Sequence, residues 1–248
     1  MGASLPREIA GLDPQGLAAR VYYLPGCAAA GAVPAEAAAA VALIRASGQA
    51  VAALPQDHCC GAPHIELGLA SEGARLVEDL ARRAGPGATV LLSGLECARQ
   101  WRAMADSGIR VLTTLRFIAD ALREGRLHLR LRGGREWPSK GVFLQDSCQS
   151  RTVPSDAAAL REICAHLGLE VLSGRAAQHV VCCGAAGGMP AMEPQAATRM
   201  AEARIAAAPA AVHLVADARC LAHLAVHHPR LDLFGPCSFL WHFFEAHA

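Results

Sequence analysis

The chain has 248 residues, with 23 basic against 22 acidic side chains and a formal net charge of +1. Such a balance excludes nucleic acid as the expected partner, because no excess of basic side chains is available to a polyanion. Hydrophobic residues make up 53% and aromatic residues only 4%, and alanine supplies much of the former, so the composition describes small helix formers rather than a greasy surface.

Taken in chain order, the first half predicts strands and helices in alternation. Val21–Leu24 reads as a strand, Ala35–Ser47 as an alanine-rich helix, Ala50–Leu54 as a strand and Ile65–Arg83 as a helix. Ala88–Ser93, Cys97–Asp106, Arg110–Thr113 and Leu115–Arg123 follow as strand, helix, strand and helix. The segment Glu124–Lys140 reads as a linker, although Leu127–Arg132 alternates apolar and polar like an added strand. The second half predicts strands near 142–145, 170–172, 178–181, 212–216 and 231–234, and a helix over Ala157–Leu167. The aromatic run Phe239–Phe244 reads as an amphipathic docking helix, too short for a membrane anchor. Short apolar strands alternating with helices give an α/β class with a mostly parallel sheet and right-handed crossovers.

The ten cysteines organise this pattern into a repeat. Cys27, the pair Cys59-Cys60 and Cys97 are spaced as C-x31-CCG-x36-C, and Cys148, Cys182-Cys183 and Cys220 recur as C-x33-CCG-x36-C. The flanking text repeats as well: Val21–Cys27 mirrors Val142–Cys148, and Thr89–Ser93 mirrors Val212–Ala216. The economical reading is two tandem pseudo-symmetric Rossmann-like units, residues 20–123 and 141–246, each a mostly parallel sheet flanked by helices, joined by the linker 124–140. In each unit the cysteines follow the ends of different strands, so they converge on the C-terminal edge of the sheet, where open α/β sheets place ligands beside helix N-termini.

The N-terminus lacks the apolar core of a secretory signal, and the longest uncharged stretch, Ala176–Met192, is too short and too broken by glycine and proline to span a bilayer. The expected location is therefore cytoplasmic, with no integral membrane segment. In that reducing compartment ten cysteines point to metal ligation or redox chemistry rather than to disulfides. On ligand count, four thiolates suit zinc or an iron–sulfur cluster equally. The layout favours the cluster: neighbouring cysteines strain one small tetrahedral ion, whereas an extended cluster offers each its own metal atom.

The texts Cys59-Cys60-Gly61-Ala62-Pro63-His64 and Cys182-Cys183-Gly184-Ala185-Ala186-Gly187, with Leu24-Pro25-Gly26-Cys27 and Asp146-Ser147-Cys148 upstream, resemble the cysteine-rich (CCG) domain family. That family includes the disulfide-reducing subunit of heterodisulfide reductase, the glycolate oxidase iron–sulfur subunit, a subunit of anaerobic glycerol-3-phosphate dehydrogenase and the lactate-utilisation iron–sulfur protein. The resemblance implies an iron–sulfur electron-transfer subunit of a multisubunit oxidoreductase. It would bind one or two clusters, [4Fe–4S] in type, and work with a flavoprotein dehydrogenase, a ferredoxin-like subunit or both. The acceptor would be a quinone or a disulfide, and membrane association would be peripheral, through partners. Catalytic disulfide reduction, as in heterodisulfide reductase, is one alternative; a zinc-bound structural or interaction module, or zinc in one site, is another.

The fullest family motif ends each domain in C-x2-C, but Gly94 and Asp217 stand at the first of those positions here, leaving four motif cysteines per unit. Cys237, which follows the strand near 231–234, is expected with Asp217 to complete a five-ligand second site. The expected ligands are thus Cys27, Cys59, Cys60, Cys97, Cys148, Cys182, Cys183, Cys220 and Cys237. Gly61, Gly184 and Gly187 are expected to let backbone approach a cluster. His58 and His64 either tune the cluster by hydrogen bonding or cap their loop. Cys164 reads as a buried bystander, and His223 with His227 as a solvated helix end. No residue is assigned a catalytic acid or base role.

Overall fold

The structure is a computed structural model that describes residues 20–54, 59–104, 108–133, 141–172, 180–206 and 212–247. In the first unit, β1 (Val21–Leu24), β2 (Ala52–Ala53), β3 (Thr89–Leu92) and β4 (Arg110–Thr113) form a sheet of order β2-β1-β3-β4, parallel at every pairing. In the second, β6 (Gly141–Gln145), β7 (Glu170–Val171), β8 (Val212–Val215) and β9 (Leu233–Phe234) form β7-β6-β8-β9, again parallel throughout. The two sheets have one topology, as the cysteine repeat predicts. The order reverses between the first and third strands of each, and that switch point opens a crevice at the C-terminal edge.

The helices of the first unit are α1 (Pro34–Ala46), α2 (Ala62–Glu66), α3 (Ala70–Ala84), α4 (Leu95–Met104) and α5 (Thr114–Arg123). Those of the second are α6 (Pro154–His166), α7 (Met189–Met192), α8 (Pro194–Ala206), α9 (Ala218–His227) and α10 (Pro236–Phe243). Two expectations change. The helix expected over Ile65–Arg83 breaks into α2 and α3 at Leu67–Leu69, where Gly68 turns the chain at φ +86°. Of the strand expected near 178–181, Val180 and Val181 are not in a strand, and the rest of it lies outside the described residues.

Three apolar cores stack across the molecule. The largest joins the units: α1 packs on α10 and α5 on α6, and residues from both sheets, among them Tyr23, Leu91, Leu144 and Leu214, close it. Here the alanine content finds its use. In α1, Ala37, Ala39, Ala40, Val41, Leu43 and Ile44 are all buried, so small side chains let the helix be covered on several faces at once. A second core, with Val77, Leu80 and Trp101, covers the outer face of the first sheet, and a third, with Ala201, Leu221 and Leu224, that of the second. The segment between the repeats does more than link them: β5 (His128–Leu131) pairs antiparallel with β10 (Phe244–His247), tying it to the aromatic C-terminal segment. That segment packs inward, with Phe239, Phe243 and Phe244 buried and Trp241 partly exposed.

The units are locked by exchanged helix caps. Glu36 of α1 accepts from the backbone N–H groups of Cys237 and Ser238, at 2.9 and 2.8 Å, and so caps α10 of the other unit. Asp156, at the equivalent place on α6, accepts from the Thr113 hydroxyl at 2.8 Å and lies at the start of α5. The two acids are shifted in opposite directions. Burial raises Glu36 above the ordinary carboxylate range despite its two N–H donors. Burial would raise Asp156 too, but the Arg102 guanidinium forks onto both its oxygens and, with Thr113, carries it below that range. Gly235 makes the Glu36 cap possible, since a Cβ there would sit 2.2 Å from Glu36 Oε2.

Candidate metal centres

Each switch-point crevice holds four sulfurs. Cys27 lies just beyond β1, Cys59 and Cys60 beyond β2, and Cys97 in the first turn of α4 after β3. Their thiols are linked in the order Cys27, Cys59, Cys60, Cys97, with Cys60 and Cys97 Sγ atoms 2.8 Å apart. The second unit repeats the arrangement as Cys148, Cys182, Cys183, Cys220, with Cys183 and Cys220 Sγ atoms 3.1 Å apart. Cys60, Cys97, Cys183 and Cys220 are buried, Cys59, Cys148 and Cys182 half-buried, and Cys27 exposed. None of the ten cysteines is in a disulfide.

The electrostatics of the two groups differ. In the first, Cys27 is pushed up by its bond to Cys59 and by burial, against the pull of Arg219. Cys59 receives a lowering bond from Cys27, but Cys60 and burial outweigh it; Cys60 receives one from Cys59, but Cys97 and burial outweigh it. In the second, Cys182 is lowered to about 2, because Cys148, Cys183 and the Gly184 N–H all donate to it, with Arg204 near; Cys148 and Cys183 are raised. Only in the second group do the contacts favour a thiolate, at Cys182. Four thiolates need a polyvalent positive centre to hold them.

The donor set fits a soft metal centre. Sulfurs around a single zinc ion, each about 2.3 Å from it, would be roughly 3.8 Å apart about one point. Here the sulfurs run in a row with contacts of 2.8 and 3.1 Å, closer than that, and among the described residues no group of three or more His, Cys, Asp and Glu side chains is placed as around a bound metal ion. What favours a centre of several metal atoms is the donor set rather than the spacing: the adjacent cysteines of each group strain one small ion, whereas several metal atoms offer each its own. Near the first group, the buried Nδ1 of His64 has no hydrogen-bond partner among the described residues; His58 lies outside them.

The glycines serve packing. Gly61 takes φ +77°, and a Cβ there would meet the Gly73 carbonyl oxygen at 2.4 Å; Gly184 takes φ +89° and would meet that of Ala197 at 2.9 Å. Both let the CCG loop lie against the following helix, α3 or α8. Gly187, at φ +67°, has open space where its Cβ would be, and its N–H donates to Glu66 at 3.0 Å. Gly184 also brings its backbone to the sulfurs, its N–H donating to Cys182 Sγ at 3.3 Å. At Gly26, instead, a Cβ would meet Cys97 Sγ at 3.3 Å.

Cys237 lies in a different core from the second sulfur group. It belongs to the central core shared by the units, whereas Cys183 and Cys220 belong to the outer core of the second. Its neighbours are Glu36 and a cavity of about 10 Å³ lined also by Ser93 and Thr114, and burial raises its pKa well above the usual thiol value. The strand before it ends at the same sheet edge, but α10 packs against α1. Asp217 is likewise engaged elsewhere: Oδ1 accepts from Arg219 N at 2.9 Å and Oδ2 from Leu95 N at 3.0 Å. It caps both α9 and α4, each of which carries the last cysteine of its unit. Cys164 lies in the central core, where burial raises it to about 12.

The residues between the two groups escaped the sequence reading. Arg219 Nη1 contacts both Glu66 oxygens, at 2.7 and 2.8 Å, and Glu96 accepts from Gln149 Nε2 at 2.7 Å and from Arg99 at 2.6 Å. Their signal was present, since Glu96 and Arg219 each precede the last cysteine of a repeat. His223, expected at a solvated helix end, instead places Nε2 3.3 Å from the Ala197 carbonyl and bonds to the Cys183 backbone, while its ring meets His227 edge-on.

Among the described residues no helix is long and apolar enough to cross a membrane. A search of curated proteins finds no match to this chain. The family model described as CCG, cysteine-rich domain, matches twice, over residues 21–94 and 142–225, together more than half of the sequence. Domains of this kind are associated with iron–sulfur centres. The two matches fall on the two sheets and take in all but one cysteine of the two sulfur groups, Cys97 lying just beyond the first, and on that basis the chain belongs to the CCG cysteine-rich domain family.

Proposed function

We propose that this chain is a cytoplasmic iron–sulfur electron-transfer subunit that relays electrons from a flavoprotein dehydrogenase or ferredoxin-like subunit toward a quinone or disulfide acceptor. The observation that carries this reading is the gathering of four cysteines, in the same order, at the switch point of both sheets. When bound, an iron–sulfur centre supplies one-electron storage at a potential set by its surroundings.

The residues around it supply position and potential. Cys27, Cys59, Cys60 and Cys97 would hold one centre, and Cys148, Cys182, Cys183 and Cys220 the other. Cys97 and Cys220 sit in the first turns of α4 and α9, at the positive ends of those helices, which favour the negative charge of a thiolate. Gly61 and Gly184 fix the CCG loops against α3 and α8. Free thiols throughout the chain accord with a reducing compartment.

Anaerobic purification with iron, sulfide and zinc analysis and electron paramagnetic resonance tests the reading. Iron and sulfide in matching amounts, with a signal on reduction, are the expected result. Colourless, zinc-loaded protein would defeat it, and a signal lost stoichiometrically on adding an organic disulfide would replace relay by direct disulfide reduction.

A further inference from the structure

The position before the last cysteine carries opposite charges in the two repeats, Glu96 in the first and Arg219 in the second. Each reaches toward the other unit. Arg219 lines a cavity of about 20 Å³ with Cys27, Gly94, Cys97 and Asp217, at the mouth of the first sulfur group. Glu66 of α2 holds it there through both carboxylate oxygens, and the Gly187 N–H of the second unit fixes Glu66 in turn. The second sulfur group has its own cation. Arg204, on α8, donates to the carbonyls of Val181 and Asp146 beside Cys182 and Cys148, so it approaches that group from within its unit.

We propose that Arg219 is a positioning residue for the first centre, borrowed from the second unit: its guanidinium, steered by Glu66, raises the reduction potential of a centre held by Cys27, Cys59, Cys60 and Cys97. This rests on the iron–sulfur reading above. Reduction adds one electron to the centre with no bond made or broken, and a fixed positive charge beside it stabilises the added negative charge. The electron comes from a reduced flavin or ferredoxin-like centre in the proposed chain, and from dithionite in the test. Asp217 supports the arrangement by capping α4 and α9 together, which holds Cys97 and Arg219 in one frame. Gly94, its counterpart, has no side chain to return the contact, so the borrowing runs one way.

The test uses the full-length, reconstituted chain in two backgrounds, Cys182→Ser/Cys183→Ser to retain the first centre and Cys59→Ser/Cys60→Ser to retain the second. Potentiometric titration followed by electron paramagnetic resonance reads each. Arg219→Gln is expected to shift the first centre about tenfold toward its oxidised form, about 59 mV for one electron, with a much smaller shift in the second. Arg219→Lys should recover most of it. Glu66→Gln, which leaves the guanidinium uncompensated, should shift the first centre the opposite way, and it carries the test should Arg219→Gln assemble no centre. Equal shifts in both backgrounds, or an unmoved first centre with intact iron, would overturn the proposal. Absence of iron from the parent chain would instead defeat the reading it rests on.

Discussion

The two repeats share strand order, helix order and the sequence of sulfur contacts, yet they differ wherever they face each other. Asp156 is forked by Arg102 and has a lowered pKa, while Glu36, its counterpart, has backbone donors and a raised one. Asp217 caps two helices through its side chain, where Gly94 has none to offer. Inside each unit, duplication keeps the parts that build a thiol site. Across the interface the same positions are free to diverge, because one residue can serve both partners of a pseudo-symmetric contact.

The largest effects should come from the sulfur groups themselves. Cys59→Ser/Cys60→Ser and Cys182→Ser/Cys183→Ser should each remove roughly half of the bound iron if the units are equivalent in occupancy. Iron and sulfide analysis of the two double variants would show whether one repeat carries all of the metal. Next in size is the interface. Asp156→Ala leaves Arg102 facing a buried space and should cost about 3 kcal/mol, read as a lowered denaturant midpoint, whereas Glu36→Gln keeps an oxygen for α10 and should cost about 1 kcal/mol. Equal losses would mean that the Arg102 fork on Asp156 has no energetic weight.

The CCG glycines sharpen the comparison further. Gly61→Ala should cost about 2 kcal/mol or more and Gly184→Ala less, because the new methyl meets a carbonyl at 2.4 Å in one case and 2.9 Å in the other. The caps also predict opposite pH trends in thermal midpoint. Glu36 has a folded pKa above its ordinary 4.5, so its contribution is complete below that value and is lost as pH rises through the raised one. Asp156 has a folded pKa below its ordinary 3.8, so its contribution is present above that value and is lost as pH falls through the lowered one. Glu36→Gln should therefore flatten the decline seen as pH rises above 4.5 and leave the one seen as pH falls. Smallest of all, Cys237→Ser should keep the full iron content and spectrum of the parent; loss of iron would return Cys237 to the second site.

Much of this protein could be read from its sequence alone. Strand and helix alternation, the duplication and the eight paired cysteines are local or periodic signals, and β1 and β4 fall on the residues the apolar pattern marks. The sulfur groups were legible because strand ends in a parallel sheet face one edge by construction. What required the tertiary structure was every relation across the interface. Cys237 follows a strand end just as the ligand cysteines do, yet the direction of α10 is set by its packing on α1 and by Glu36, far away in sequence. Gly61 and Gly184 answer to helices α3 and α8 that no local pattern brings against them. Glu96 and Arg219 were visible as residues, but their meaning depends on two sheets meeting with their sulfur edges side by side, and that placement is decided by the shared core rather than by any neighbouring residue.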